Sequence, residues 1–162
     1  MNKIKSYSEI ERIVYKMNFF REKIVTTNGS FDILHAAHVR LLEIAREKGK
    51  GLIVLLNSDD SIRRFKGDKR PIIKQEDRAY MLSALSCVDY VVIFDEDKPL
   101  KVLQIIRPSI HVKGGSYIPE RVREEEELVK SWGGKLVCLD LEEGYSSTNV
   151  INKILEKYDG NK

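Results

Sequence analysis

His35 and His38 stand three residues apart in the stretch Thr26-Thr27-Asn28-Gly29-Ser30-Phe31-Asp32-Ile33-Leu34-His35-Ala36-Ala37-His38. On a helix that spacing puts both imidazoles on one side of a turn. Each can donate to a phosphate oxygen, which suits stabilising the charge that grows during phosphoryl or nucleotidyl transfer. Before them, Lys23-Ile24-Val25-Thr26-Thr27 is short and β-branched, the pattern of a buried strand. After them, Leu41, Leu42, Ile44 and Ala45 recur at helical spacing. Between the two, Gly29 permits a tight turn or a close backbone approach. A strand that enters a helix through such a turn gathers backbone N–H groups and the positive end of a helix dipole at one spot, an anion site.

Three further polar segments can reach such a site. Lys66-Gly67-Asp68-Lys69-Arg70-Pro71 is basic and contains glycine, so it can bring cations over a polyphosphate; an ordinary solvated loop is the competing role. Val112-Lys113-Gly114-Gly115-Ser116-Tyr117 follows an apolar run, and its glycines allow close approach of a ligand or simply make a turn. Glu143-Gly144-Tyr145-Ser146-Ser147-Thr148-Asn149 leads into a helical pattern. Ser147 or Thr148 can cap that helix, and the same hydroxyls can form a second anion site. Arg78 can reach the site or pair with Glu76 or Asp77 on the surface. Asp32 can orient a substrate hydroxyl, hold a histidine tautomer or cap the first helix. His111, inside an apolar run, reads as a core or edge histidine.

Alternating strands and helices must position these groups. An amphipathic helix is expected over Ser6 to Phe20, capped by Ser6 or Ser8, with Ile10, Ile13, Val14 and Met17 on one face; it would pack on the sheet edge or on a second subunit. Leu52-Ile53-Val54-Leu55-Leu56 reads as a central strand covered on both faces. A short helix through Phe65, capped from Asn57–Asp60, and a helix over Gln75–Leu85 with Tyr80, Met81, Ala84 and Leu85 inward come next. Strands are expected at Asp89–Phe94, Ser109–Lys113 and Lys135–Leu139. Helices are expected at Pro99–Ile106, Pro119–Trp132 and Ser147–Tyr158, the last burying Val150, Ile151, Ile154 and Leu155. The alternation predicts a single-domain, Rossmann-like, doubly wound five-stranded parallel α/β sheet, with 1–22 a helical extension, 23–158 the main domain and 159–162 a polar tail. Ligands in such sheets sit beyond the carboxyl ends of the strands, where the winding reverses.

The 162 residues suit one domain with a full core. A net charge of +3, with cations spread among acids, does not imply nucleic acid binding. No apolar run reaches transmembrane length and no signal-peptide pattern opens the chain, so a cytoplasmic protein is the default expectation, with no membrane partner. Cys87 and Cys138 read as buried free thiols.

Asn28 to His38 resembles the first motif of the cytidylyltransferase-like nucleotidyltransferases, Gly-x-Phe-Asp-x-x-His-x-Gly-His, with Ala37 where that family has Gly. The likeness runs from about Lys23 to Ile154. Thr27–Asp32, Lys66–Pro71, Val88–Val92, Val112–Tyr117 and Ser146–Asn149 are together similar to the D-glycero-D-manno-heptose 1-phosphate adenylyltransferase branch. Ser30 departs from that branch's usual Cys and Ser116 from its Asp; Leu141–Gly144 departs from the Arg-Thr-x-Gly of the glycerol-3-phosphate cytidylyltransferases. The resemblance implies transfer of AMP from ATP to a sugar 1-phosphate, giving an ADP-sugar and pyrophosphate, as in ADP-heptose and lipopolysaccharide precursor synthesis. His35, His38 and Lys66 would then be catalytic. Asn28, Gly29, Ser30, Phe31, Lys113, Gly114, Ser146, Ser147 and Thr148 would join the histidines in binding nucleotide. Asp32, Lys69, Arg70 and Arg78 would bind substrate. Mg²⁺ would arrive with ATP, held by phosphate and water and not by a protein cage. A homodimer is compatible with this class. A cytidylyltransferase for glycerol 3-phosphate or another polyol phosphate, and a nucleotide-binding module without turnover, are the alternatives.

Overall fold

The computed structural model describes residues 2–115, 117–140 and 146–158. Five strands run parallel in the order β3-β2-β1-β4-β5, with β1 Ile24–Gly29, β2 Gly51–Asn57, β3 Tyr90–Phe94, β4 Ile110–Gly114 and β5 Lys135–Leu139. Every residue of β2 is buried, as its unbroken apolar run requires of a strand covered on both faces. Successive side chains on a strand alternate between faces. Leu52, Val54 and Leu56 accordingly join one core cluster, while Ile53 and Leu55 join the other.

Helices fill both faces. The first cluster takes Leu41, Leu42 and Ala45 from α2 (Ala36–Glu47) and Ala79 and Leu82 from α4 (Gln75–Ala84). The second takes Ile10 and Val14 from α1 (Tyr7–Phe19), Val102, Leu103 and Ile106 from α5 (Leu100–Ile106), and Val129 from α6 (Pro119–Lys130). Each large apolar side chain taken out of water contributes about 2 kcal/mol. α3 (Asp59–Lys66) and α7 (Ser147–Tyr158) complete the set. The chain winds outward from β1 to β3 and then crosses back to β4, so the winding reverses between β1 and β4.

The structure departs from the sequence expectations in five places. The segment before α1 pairs with edge strand β3, through an Ile4–Val91 bridge and the Lys5 N–H donating to the Val91 carbonyl at 2.8 Å. α1 itself lies on the sheet face with α5, not at the edge; Ser6 caps it in a capping box with Glu9. α4 is turned from its expected phase: Arg78, Ala79 and Leu82 are buried, Tyr80 and Ala84 are exposed, and Met81 and Leu85 are half-buried. A buried arginine with its own ring of acceptors sets that phase. α7 buries none of its expected residues: Ile154 and Leu155 are about half exposed, and Val150 and Ile151 are half-buried. Cys87 and Cys138 are free, as expected, but half-buried. None of the described helices is long and apolar enough to cross a membrane.

Candidate active site

β1 delivers the first motif to the carboxyl edge of the sheet, beside the switch between β1 and β4. Gly29 is needed there because a Cβ at that position would lie 3.0 Å from the Phe31 ring. Phe31 takes a positive φ of 44° and tucks its side chain into the core at 4% exposure. Its ring centroid lies 5.1 Å from that of His38. Phe31 therefore supports His38 from below; the expectation that it touches nucleotide is corrected by its burial.

His35 occupies the N-cap position of α2 without a side-chain capping hydrogen bond. Its ring stacks on His38 with centroids 3.7 Å apart and an interplanar angle of 18°. Burial lowers the His35 pKa. Burial, then the neighbouring His35 and Lys66 charges, push His38 down to about 4. Both rings are thus neutral donors near pH 7, and positive charge at the site must come from elsewhere.

Lys66 supplies part of it from the last turn of α3. Partial burial and the nearby Arg70 lower its ammonium pKa, against the pull of Asp32. Asp32 is 1% exposed, and its acceptors are spent within the protein. It receives Arg70 Nε at 2.6 Å and the N–H groups of Ile72 and Ile73 at 2.8 and 3.0 Å. So Asp32 ties the basic segment 66–73 to the first motif; it neither caps α2 nor faces a substrate hydroxyl. Arg70 gives its Nε to the same tie, while Lys69 stands exposed.

Arg78 is fully buried. Its guanidinium donates to the Ser30 carbonyl at 2.5 Å, the Ile73 carbonyl at 2.9 Å, the Asn57 carbonyl at 3.0 Å and Asp59 Oδ1 at 2.7 Å. Five donors in a fixed fork suit such a hub. The expectation of a substrate-binding or surface Arg78 is corrected: it clamps the loops after β1 and β2 together.

The last helix meets the first motif. The Ile33 N–H donates to Ser147 Oγ at 3.3 Å, and that hydroxyl lies 3.5 Å from the Ile33 carbonyl. Ser146, rather than Ser147 or Thr148, caps α7 by accepting from the Asn149 N–H at 3.0 Å. Thr148 is exposed. The start of α7 therefore lies against the loop that leads into α2. Ser116 and the segment 141–145, on which two of the family comparisons made above depend, lie outside the described residues.

On the opposite side of the β1 end is a cavity of about 650 Å³. Asn28, Gly29, Ser30, Lys66, Lys113 and Gly114, all expected to touch ligand, are among the residues that line it. The imidazoles do not; Lys66 connects the two sides, lining the cavity and acting on His38. Sequence reasoning missed Arg64, Lys98 and Arg121, along with Asp97, Glu120 and Glu125, which also line the cavity. One of these had a signal: Val122, Glu125 and Val129 are the buried positions of α6, so Glu125 falls on its apolar stripe. Lys113 donates to Asn28 Oδ1 at 2.8 Å and pairs with Glu125 at 2.8 Å. His111 is a core residue, its Nδ1 2.8 Å from Thr26 Oγ1.

Three carboxylates beside the site have partners: Asp97 pairs with Arg64, Glu125 with Lys113 and Asp32 with Arg70. Among the described residues no group of three or more His, Cys, Asp or Glu is placed to hold a metal. This donor set fits a cation that arrives already coordinated by phosphate oxygens.

Comparison with known proteins agrees with the geometry. The cytidylyltransferase-like family model matches residues 26–153. The bifunctional protein HldE of Syntrophotalea carbinolica is 52% identical over 136 residues, which are 84% of this chain and 28% of that protein. The bifunctional protein HldE of Geobacter metallireducens is 46% identical over 156 residues, 96% of this chain and 32% of that protein. The chain spans less than a third of the length of these relatives. In fold it is similar to a lipopolysaccharide core biosynthesis protein from Thermoplasma volcanium, with a TM-score of 0.62 and 24% identity over 77% of this chain and 99% of that one. It is also similar to pantoate-beta-alanine ligase from Francisella tularensis, solved in complex with beta-gamma ATP and beta-alanine, with a TM-score of 0.65 and 16% identity over all of this chain and 82% of that one. With the family model covering most of its length, this chain belongs to the cytidylyltransferase-like family of nucleotidyltransferases.

Proposed function

We propose that this chain transfers the adenylyl group of ATP to a sugar 1-phosphate, with D-glycero-D-manno-heptose 1-phosphate the leading candidate, releasing pyrophosphate and an ADP-sugar. The observation that carries this reading is the contact between Ser147 and Ile33, which brings the start of α7 to the loop that leads into α2. Two helix N-termini linked through that loop, with two imidazoles, suit the triphosphate. The cavity across the β1 end suits the acceptor: Arg64, Lys98 and Arg121 can meet a phosphate, and Asp97 and Glu120 can accept from sugar hydroxyls. The likeness to proteins named bifunctional protein HldE, over less than a third of their length, supports this reading.

In this reading a phosphate oxygen of the sugar 1-phosphate attacks the α-phosphorus of ATP. The bond from that phosphorus to the bridging oxygen breaks, and pyrophosphate leaves with the electron pair. The acceptor is already an anion, so no protein nucleophile is required. His35 and His38 donate hydrogen bonds to phosphate oxygens as charge grows, and Lys66 supplies the positive charge that two neutral rings lack. Ser147 and the N–H groups at the start of α7 hold the outer phosphates, while Lys113 and Gly114, on β4 and in the cavity lining, meet the nucleotide where it borders the acceptor. Mg²⁺ bound through phosphate and water oxygens would neutralise part of the triphosphate charge. Pyrophosphate release, measured with ATP or CTP against a panel of sugar and polyol phosphates, tests the proposal. Turnover with ATP and a heptose 1-phosphate is expected. Release only with CTP and glycerol 3-phosphate, or nucleotide binding with no release, overturns it.

A further inference from the structure

Glu125 sits on α6, remote in sequence from either histidine, yet its carboxylate is 4% exposed and borders the cavity. Burying a carboxylate is costly unless a partner compensates it. Lys113 is that partner, 2.8 Å away, and Lys113 also donates to Asn28 Oδ1 at 2.8 Å. Behind them His111 is fully buried, its Nε2 3.5 Å from Glu125 Oε2 and its Nδ1 2.8 Å from Thr26 Oγ1. The series Thr26, His111, Glu125, Lys113, Asn28 begins on β1, passes through β4 and α6, and returns to β1 at the switch point. Burial lowers the His111 pKa, so the ring is neutral and Lys113 balances the Glu125 charge. Burial alone would raise the Glu125 pKa, but the His111 contact and the Lys113 charge bring it below the ordinary value.

We propose that Glu125 is a positioning residue: it holds Lys113 in the posture that makes the Asn28 side chain present its amide N–H groups to the cavity. An ammonium has donors and no acceptor, so Asn28 must turn its oxygen towards Lys113. The amide nitrogen then faces away from Lys113, and Asn28 lines the cavity. Without the carboxylate, Lys113 can swing to solvent or to a ligand phosphate, and Asn28 loses the contact that orients it. The effect on turnover rests on the transferase reading; the posture of Asn28 does not.

A double-mutant cycle with Glu125→Gln, Lys113→Met and both together tests this. The first readout is the Asn28 side-chain amide signal in nitrogen–proton NMR, which needs no substrate. The second is kcat/KM with ATP and the acceptor, beside the unfolding midpoint. Glu125→Gln is expected to move the Asn28 signal as Lys113→Met does and to lower kcat/KM about tenfold, within the range for coupled neighbours. In the Lys113→Met background the same change should cost less than about threefold. Should the Gln variant fail to fold, Glu125→Asp, which keeps the charge but shortens its reach, must still shift the Asn28 signal part of the way. An unmoved Asn28 signal, or an equal activity loss in both backgrounds, overturns the proposal. An ordered Asn28 amide in a wild-type chain without turnover would sink the transferase reading alone.

Discussion

The start of α7 touches the loop that leads into α2, but different forces hold the two helices in place. α2 is anchored by packing: Ala37, Leu41, Leu42 and Ala45 are buried, and Phe31 supports the first turn from within the core. α7 has no buried residue among those described, and its first turn is fixed by Ser146 and by Ser147 on Ile33. Both turns offer backbone N–H groups to an anion. The first is an anion site built by the core, the second one built by a few polar contacts. Substitutions at the buried positions of α2 should therefore register largely as stability, and those at the histidines or at the start of α7 largely as function.

The strongest challenge to this contrast lies at Arg78, which braces the loops beside α2. Arg78→Leu leaves the Ser30, Asn57 and Ile73 carbonyls and the Asp59 carboxylate without their donor. Breaking one side of such a buried pair costs about 3–5 kcal/mol. Denaturant unfolding should show a loss of that size. A loss below about 1 kcal/mol, with turnover abolished, would return Arg78 to the substrate site.

Arg78 also marks the limit of what the sequence discloses. The strand, turn and helix around His35 and His38 were legible because β-branched residues, glycine and helical spacing are local signals. The phase of α4 was not, since a buried arginine reads as a surface residue until its acceptors, up to 48 positions away, are known. The role of Asp32 was not legible either, since its partners Arg70, Ile72 and Ile73 come from a distant segment. Glu125 was hidden in the acidic run Glu124–Glu127, which composition alone assigns to solvent. α7 shows the reverse case: its apolar stripe is real in the pattern, but burial depends on what covers it, and no local signal carries that.

His38 comes next in size. His38→Ala should lower kcat about 10²-fold, near 2.7 kcal/mol of transition-state stabilisation, while the fold persists. Near-normal turnover would remove His38 from the mechanism. The same residue gives a pH signature that α7 cannot, because the first turn of α7 holds no titratable group. With its pKa pushed to about 4 in the fold and near 6.5 unfolded, His38 binds fewer protons folded than unfolded between those values. Its contribution to stability is complete above pH 6.5 and drains as the pH falls towards 4; the neutral, buried His111 acts in the same direction. Thermal unfolding of the wild type should weaken over that window more steeply than that of His38→Asn. Identical pH profiles would mean the imidazole is not held neutral.

Ala37 offers a smaller test on α2. It is buried on the stripe shared with Leu41 and Ala45, so its methyl serves the helix and the core and does not narrow the cavity. Ala37→Gly should cost about 1 kcal/mol in stability and leave ATP affinity, measured by calorimetry, nearly unchanged. A gain in affinity above about tenfold, or 1.4 kcal/mol, would show that the methyl obstructs the nucleotide after all.

The smallest effect is expected on α7, and it decides whether the contrast between the helices belongs to the isolated chain. Leu42→Ala in α2 sets the scale at about 2–5 kcal/mol, the cost of emptying a packed site. Leu155 is 51% exposed, and alanine is as good a helix former as leucine, so Leu155→Ala should fall within about 0.5 kcal/mol of the wild type. The measurement is chemical unfolding at two protein concentrations a hundredfold apart. If the loss is small and the midpoint does not move with concentration, α7 is held only through its first turn. If the loss exceeds about 2 kcal/mol and the midpoint rises with concentration, Ile154, Leu155 and Tyr158 are covered by a second copy of the chain. The start of α7 would then be anchored by packing like that of α2, with its core supplied from outside the subunit.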